Sequence, residues 1–202
     1  MDSAKIRLSP EEAALVNEGS WILTKNRIIE KVKLLLVSVQ EKQSELLAGA
    51  NKLPIEVLQT TPKVSRGENY EGLPYLILDH PRLFDKEDMF AIRTMFWWGH
   101  FFSTTIHLSG KYKTAFASGI VSGMDELSSH DVYICRNEDP WQHHFGEDNY
   151  ISISRLDREE MKRICEAGTF IKLSKKISLK EWNEAEGKLL EDFGLFIRLL
   201  QA

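Results

Sequence analysis

The chain has 202 residues, 43% of them hydrophobic, and a formal charge of −4. That size can bury a core without disulfide or metal staples, and the acidic balance excludes a general nucleic-acid binder, whose affinity rests on a positive patch that displaces counterions. Two cysteines, Cys135 and Cys165, read as buried reduced thiols. With no basic-then-apolar leader and no apolar run of roughly eighteen residues, the expectation is one cytoplasmic domain over residues 1–202 that does not enter a membrane.

Ser9-Pro10-Glu11-Glu12 is a helix start, with a capping hydroxyl, proline at the first helical position and glutamate three residues after the cap; Gly19 is its stop. From Trp21 to Ala48 apolar residues recur at three and four (Ile29, Val32, Leu36, Val39, Leu47), and Gly49 caps the end. Residues 9–49 are therefore a helical segment. Pro54 and Pro62 break the pattern around one helical turn at Glu56, a loop VSRGENYEGLP follows, and Tyr75–Asp79 reads as a strand.

Residues 89–109 hold two strand-length apolar runs separated by Gly99-His100, the signature of a hairpin with a two-residue loop. That loop length pairs Trp98 with Phe101, Met95 with Thr104, Arg93 with Ile106 and Ile92 with His107, which sets Arg93 and His107 on opposite faces. Both faces are apolar, so the hairpin belongs in the middle of a covered sheet with Arg93 and His107 turned inward. A buried guanidinium needs a carboxylate or a ligand anion beside it.

Lys113–Leu127 reads as a helix with Ala115, Gly119 and Gly123 on one stripe, small enough for backbone to approach it closely. Asp131–Cys135 and Tyr150–Ser154 read as strands joined by the long loop NEDPWQHHFGEDN. A helix runs from Asp157 to Glu166, Thr169–Leu173 is a strand, and Ser178 starts a final helix over 179–200 with an apolar stripe through Leu189, Phe193, Phe196 and Leu200. The expected fold is α+β: a mainly antiparallel sheet in a body spanning residues 63–176, built around the 89–109 hairpin, with the long N-terminal helix and the C-terminal helix packed on it.

No nucleotide loop, nucleophile elbow or spaced metal motif appears, so function rests on inward polar groups. The leading reading is a small-molecule binding protein for a polar or anionic ligand, with a pocket at the sheet mouth formed by Arg66, Asn69, Tyr70, Tyr75, Arg93 and His107. The competing view of the 65–75 loop is an ordered turn, and Asp79 offers itself as a structural partner for Arg82 or Arg93. A second reading is a metal-dependent hydrolase whose divalent ion is held by His143, His144 and Glu147, although adjacent histidines seldom present both rings to one ion. A third is an interaction module, or a homo-oligomer, using the long helix and Trp141 as contact surface.

Overall fold

The computed structural model describes residues 6–201. Helices α1 (Pro10–Asn17) and α2 (Ser20–Ala48) lead through a single turn, α3 (Ile55–Leu58), into four successive strands: β1 (Lys63–Tyr70), β2 (Leu73–Phe84), β3 (Met89–Trp97) and β4 (Phe101–Ser109). Helices α4 (Gly110–Ser122) and α5 (Met124–Ser129) precede the short pair β5 (Tyr133–Cys135) and β6 (Tyr150–Ser152); α6 (Arg158–Ala167), β7 (Phe170–Ser178) and α7 (Ala185–Gln201) complete the chain. The strands form one antiparallel sheet in the order β1-β2-β3-β4-β7-β5-β6. The expected α+β architecture, with the 89–109 hairpin at its centre, is the observed one. Among the described residues no helix is long and apolar enough to cross a membrane.

Local signals explain most boundaries. Ser9, Asp157 and Ser178 each close a capping box with the glutamate three residues on, and Gly49 follows the last residue of α2. One face of the sheet is covered by α2, through Ile29, Val32, Leu36 and Val39, and by α7, through Leu189, Phe193 and Phe196. These side chains, with Tyr112 and Phe116 of α4 against Phe90, bury Phe90, Ile92, Phe96, Phe102 and Ile106, each worth about 1.5–3 kcal/mol when taken from water.

The hairpin register differs from the expected one. Trp97 pairs with Phe101, leaving a three-residue loop of Trp98, Gly99 and His100, with Gly99 at φ +75°. Two contacts account for the extra residue: the Trp98 amide donates to the Pro74 carbonyl at 3.0 Å, and the Trp98 ring packs edge-on to Phe96 in the helix-side core. A one-residue change of register flips every side chain of the second strand relative to the first. Arg93 therefore pairs with Thr105, Ala91 with His107, and Arg93 and His107 stand on the same face.

The two-residue turn lies instead where a loop was expected. Residues 64–74 form most of the β1–β2 hairpin, turning at Glu71 (φ 49°) and Gly72 (φ 81°). As an edge strand with polar residues on both faces, β1 carries no alternation to betray it. In β2, a bulge between Asp79 and Arg82 sets two residues, His80 and Pro81, joined by a cis peptide bond, against the single Ile92 of β3, and this one extra residue leaves Asp79 before it and Phe84 after it both facing away from the helices. The 113–127 segment is two helices, broken at Gly123. A Cβ added at Gly119 would meet nothing nearer than the Leu199 carbonyl at 3.9 Å, whereas one at Gly123 would fall 2.5 Å from the Leu199 side chain, so the close approach exists only at Gly123 and is made by a side chain rather than by backbone.

Candidate functional site

The sheet face turned away from the helices carries a row of polar side chains from four strands. Cross-strand pairing sets Asp79 opposite Arg93, Arg93 opposite Thr105, Thr105 opposite Ser174, and His107 opposite Lys172. Asp79, Thr105, His107, Lys172 and Ser174 are all buried. They are sealed by residues 136–149, the long β5–β6 connection, which folds back across the sheet.

Arg93 is held by a two-pronged ion pair: Nε donates to Asp79 Oδ1 at 2.7 Å and Nη2 to Asp79 Oδ2 at 3.0 Å. The third nitrogen, Nη1, lies 3.2 Å from His143 Nε2. A guanidinium only donates, so that histidine nitrogen accepts and the ring is neutral. Burial, Lys172 and Arg93 hold the His143 pKa down to about 2, and the same three causes hold His107 at about 3. The guanidinium also lies 5.8 Å from the ring centre of Trp141, whose indole contacts Phe84 and His107 edge-on or tilted.

Lys172 is the least conventional member. It is only 2% exposed, and its ammonium donates to the Pro140 carbonyl at 2.8 Å and the Gln142 carbonyl at 2.5 Å. Both acceptors are neutral, both belong to the covering segment, and desolvation lowers the lysine pKa to about 8. At neutral pH the folded protein thus keeps the ammonium charged in a place that disfavours it by about 3 kcal/mol, taking 1.36 kcal/mol per pKa unit. The patch holds two cations, Arg93 and Lys172, against one carboxylate, Asp79. Between Arg93, His107, Trp141, His143 and Lys172 a cavity of about 10 Å³ remains, room for one water at most.

The covering segment is fastened by defined bonds. The Tyr70 hydroxyl accepts from the His143 amide at 2.7 Å and the His144 amide at 3.2 Å. Asp139 caps the Trp141 amide at 2.9 Å, Asn149 donates to the His144 carbonyl at 2.5 Å, and Phe145 stacks on Tyr150 at 4.7 Å. The Tyr150 hydroxyl is buried beside Thr105 and Ser174, and desolvation raises its pKa well above the ordinary phenol range.

The structure divides the sequence-predicted residues. Arg93 and His107 stand together in the patch. Tyr70 serves as the anchor of the covering segment, and Tyr75, beside it at 6.2 Å between rings, packs across Gly67 rather than reaching the cations. Arg66 pairs with Leu76, whose side chain lies in the helix-side core, so the guanidinium points to that side and bonds Glu68 at 2.7 Å. Asn69 is exposed and accepts from the Gly72 amide at 3.1 Å, closing the turn. Arg66 and Asn69 are thus removed from the patch by strand alternation and by turn geometry. His80 faces the helices, 3.1 Å from the Ser44 hydroxyl.

The proposed metal ligands do not converge either. His143 faces Arg93, His144 is 4.0 Å from Asp148, and Glu147 is exposed near Arg155. Among the described residues no three His, Cys, Asp or Glu side chains group closely enough to hold a metal ion. Sequence reasoning missed Lys172 as a site residue. The signal for Lys172 was the alternation Ile171, Lys172, Leu173, Ser174, which becomes informative once β7 is known to lie beside β4. The chain matches no family model, no curated protein and no solved structure.

Proposed function

We propose that the protein binds a small anion, a carboxylate or phosphate group, at Arg93, His107 and Lys172 beneath a lid formed by residues 136–149. The observation that carries this reading is Lys172: a buried ammonium whose acceptors among the described residues are two carbonyls of the covering segment. A buried cation without a counter-charge is costly to keep, and a ligand oxygen carrying negative charge would replace the Pro140 and Gln142 carbonyls with a stronger partner. Arg93 would add charge through Nη1, which Asp79 does not engage and which His143 would release as the lid lifts, and the aromatic walls Phe84 and Trp141 would exclude water. The cavity as it stands is too small for an organic ligand, so binding requires the lid to lift.

The test is thermal denaturation with inorganic phosphate, sulfate, acetate or malonate, using wild type, Lys172→Met and Arg66→Ala. At about one hundred times the dissociation constant a bound anion raises Tm by roughly 5–10 °C. Lys172→Met is expected to abolish that shift and Arg66→Ala to leave it intact. The reading is wrong if none of the anions moves the melting temperature of wild type, or if Lys172→Met responds as wild type does.

A further inference from the structure

From the exposed N-terminal helices we infer that this face is the contact surface for a second copy of the chain, with α1 of each copy lying along α2 of the other. Helix α1 buries none of its residues, and α2 buries none before Ile29. Leu8, Leu15, Val16, Leu23, Leu34 and Val37 all stand in solvent, Val16 at 71% and Leu34 at 70% exposure. Scaled by their exposures, these six side chains present on the order of 350 Å², taking about 100 Å² per side chain. An interface about 60% apolar would then cover roughly 600 Å² per copy, about 1,200 Å² in total, the lower end of the range for specific stable interfaces.

Charge indicates what covers the surface. Around α1 the charged residues are Glu11, Glu12 and Glu18 against Arg7 alone, whereas the first half of α2 carries Lys25, Arg27, Lys31 and Lys33 against Glu30, with Lys25 bonded to Glu68 and Lys33 to Glu30 within the chain. The two helices are complementary to each other, and a two-fold axis satisfies both pairings at once, which is how most homodimers are built. A lipid surface would call for a basic polar face along the whole apolar stretch, and α1 has the wrong sign for it. From Leu23 to Val37 α2 extends about 21 Å, longer than the roughly 12 Å of α1, so one copy's α1 fits along it. Within its own chain α1 is tied to α2 by the Trp21 indole, which donates to the Leu15 carbonyl at 3.2 Å, leaving the outward side chains unpartnered.

Sedimentation equilibrium of the full chain tests this. Wild type is expected to dimerise, and Leu34→Glu to raise the dissociation constant about thirty-fold or more, the loss typical of a hot-spot residue. Because Leu34 is exposed, circular dichroism of that variant should match wild type. The paired substitution Glu11→Lys with Glu18→Lys should weaken the dimer, and adding Arg27→Glu with Lys31→Glu should restore it. Wild type that stays monomeric at about 100 μM, beyond the weak end of affinities for interfaces of this size, overturns the inference. So does a dimer unaffected by Leu34→Glu, or a monomer that instead pellets with anionic vesicles.

Discussion

Acidification should destabilise the folded chain between pH 6.5 and 4.5, and two histidines set the size of the effect. His107 and His143 are held neutral in the fold, with pKa values of about 3 and about 2 against an ordinary 6.5. The unfolded chain therefore binds protons in this window that the folded chain refuses, and stability falls as pH falls. At 1.36 kcal/mol per unit, each ring contributes about 2–3 kcal/mol of loss across the window, roughly 5 kcal/mol together, comparable with the whole stability of many domains. Burial also lowers the His80 pKa, which adds to the slope, whereas the raised pKa of buried Asp192 opposes it towards the acid end. Carboxylates whose pKa is lowered, such as Glu56 and Glu186, lose their contribution only below about 4.5, outside this range. Lys172 is charged in both states below about pH 8 and contributes no slope here. Urea melts by circular dichroism at half-unit steps of pH measure the slope directly. The variant carrying His107→Gln and His143→Gln should keep only the shallower slope that His80 contributes over the same window. A wild-type profile without slope, or a double variant as steep as wild type, would refute the reasoning that both rings are sealed neutral beneath the lid.

Arg93→Met should cost about 3–5 kcal/mol in a urea melt, because it leaves the buried Asp79 carboxylate without its two-pronged partner; a loss below about 1 kcal/mol would mean the pair is solvated. Tyr70→Phe should speed hydrogen exchange at the His143 and His144 amides without altering exchange in α7, since the lost hydroxyl holds only the lid. Gly67→Ala should destabilise by about 1–3 kcal/mol, as its Cβ would fall 2.3 Å from the Tyr75 ring. Gly119→Ala should instead stabilise by about 0.8–1 kcal/mol, its Cβ meeting nothing nearer than 3.9 Å, and both glycine variants are read by chemical denaturation.

Arg93 and His107 illustrate how far residue patterns reach. Their inward direction followed from two apolar strand faces, and the helices followed from capping boxes at Ser9, Asp157 and Ser178 and from the three-and-four spacing along α2. These are local signals, carried by residues within one turn or one strand of each other. Their common face did not follow, because register depended on Trp98 being drawn to Pro74 and to Phe96, residues outside the turn in the first case and competing for it in the second. Edge strand β1 escaped notice for a related reason: with both sides polar it has no periodicity, and only its pairing with β2 defines it.

What the amino-acid order determined alone was most of the elements, edge strand β1 and the break at Gly123 excepted, the centrality of the 89–109 hairpin and the presence of a cation within the body. Tertiary structure decided which polar groups meet. Lys172 joins His107 because β7 lies beside β4, Arg66 leaves the patch because alternation turns it to the other side, and His143 arrives on a segment that folds back over the sheet. Such meetings depend on strand order and register across distant parts of the chain, and side-chain spacing along the sequence encodes neither.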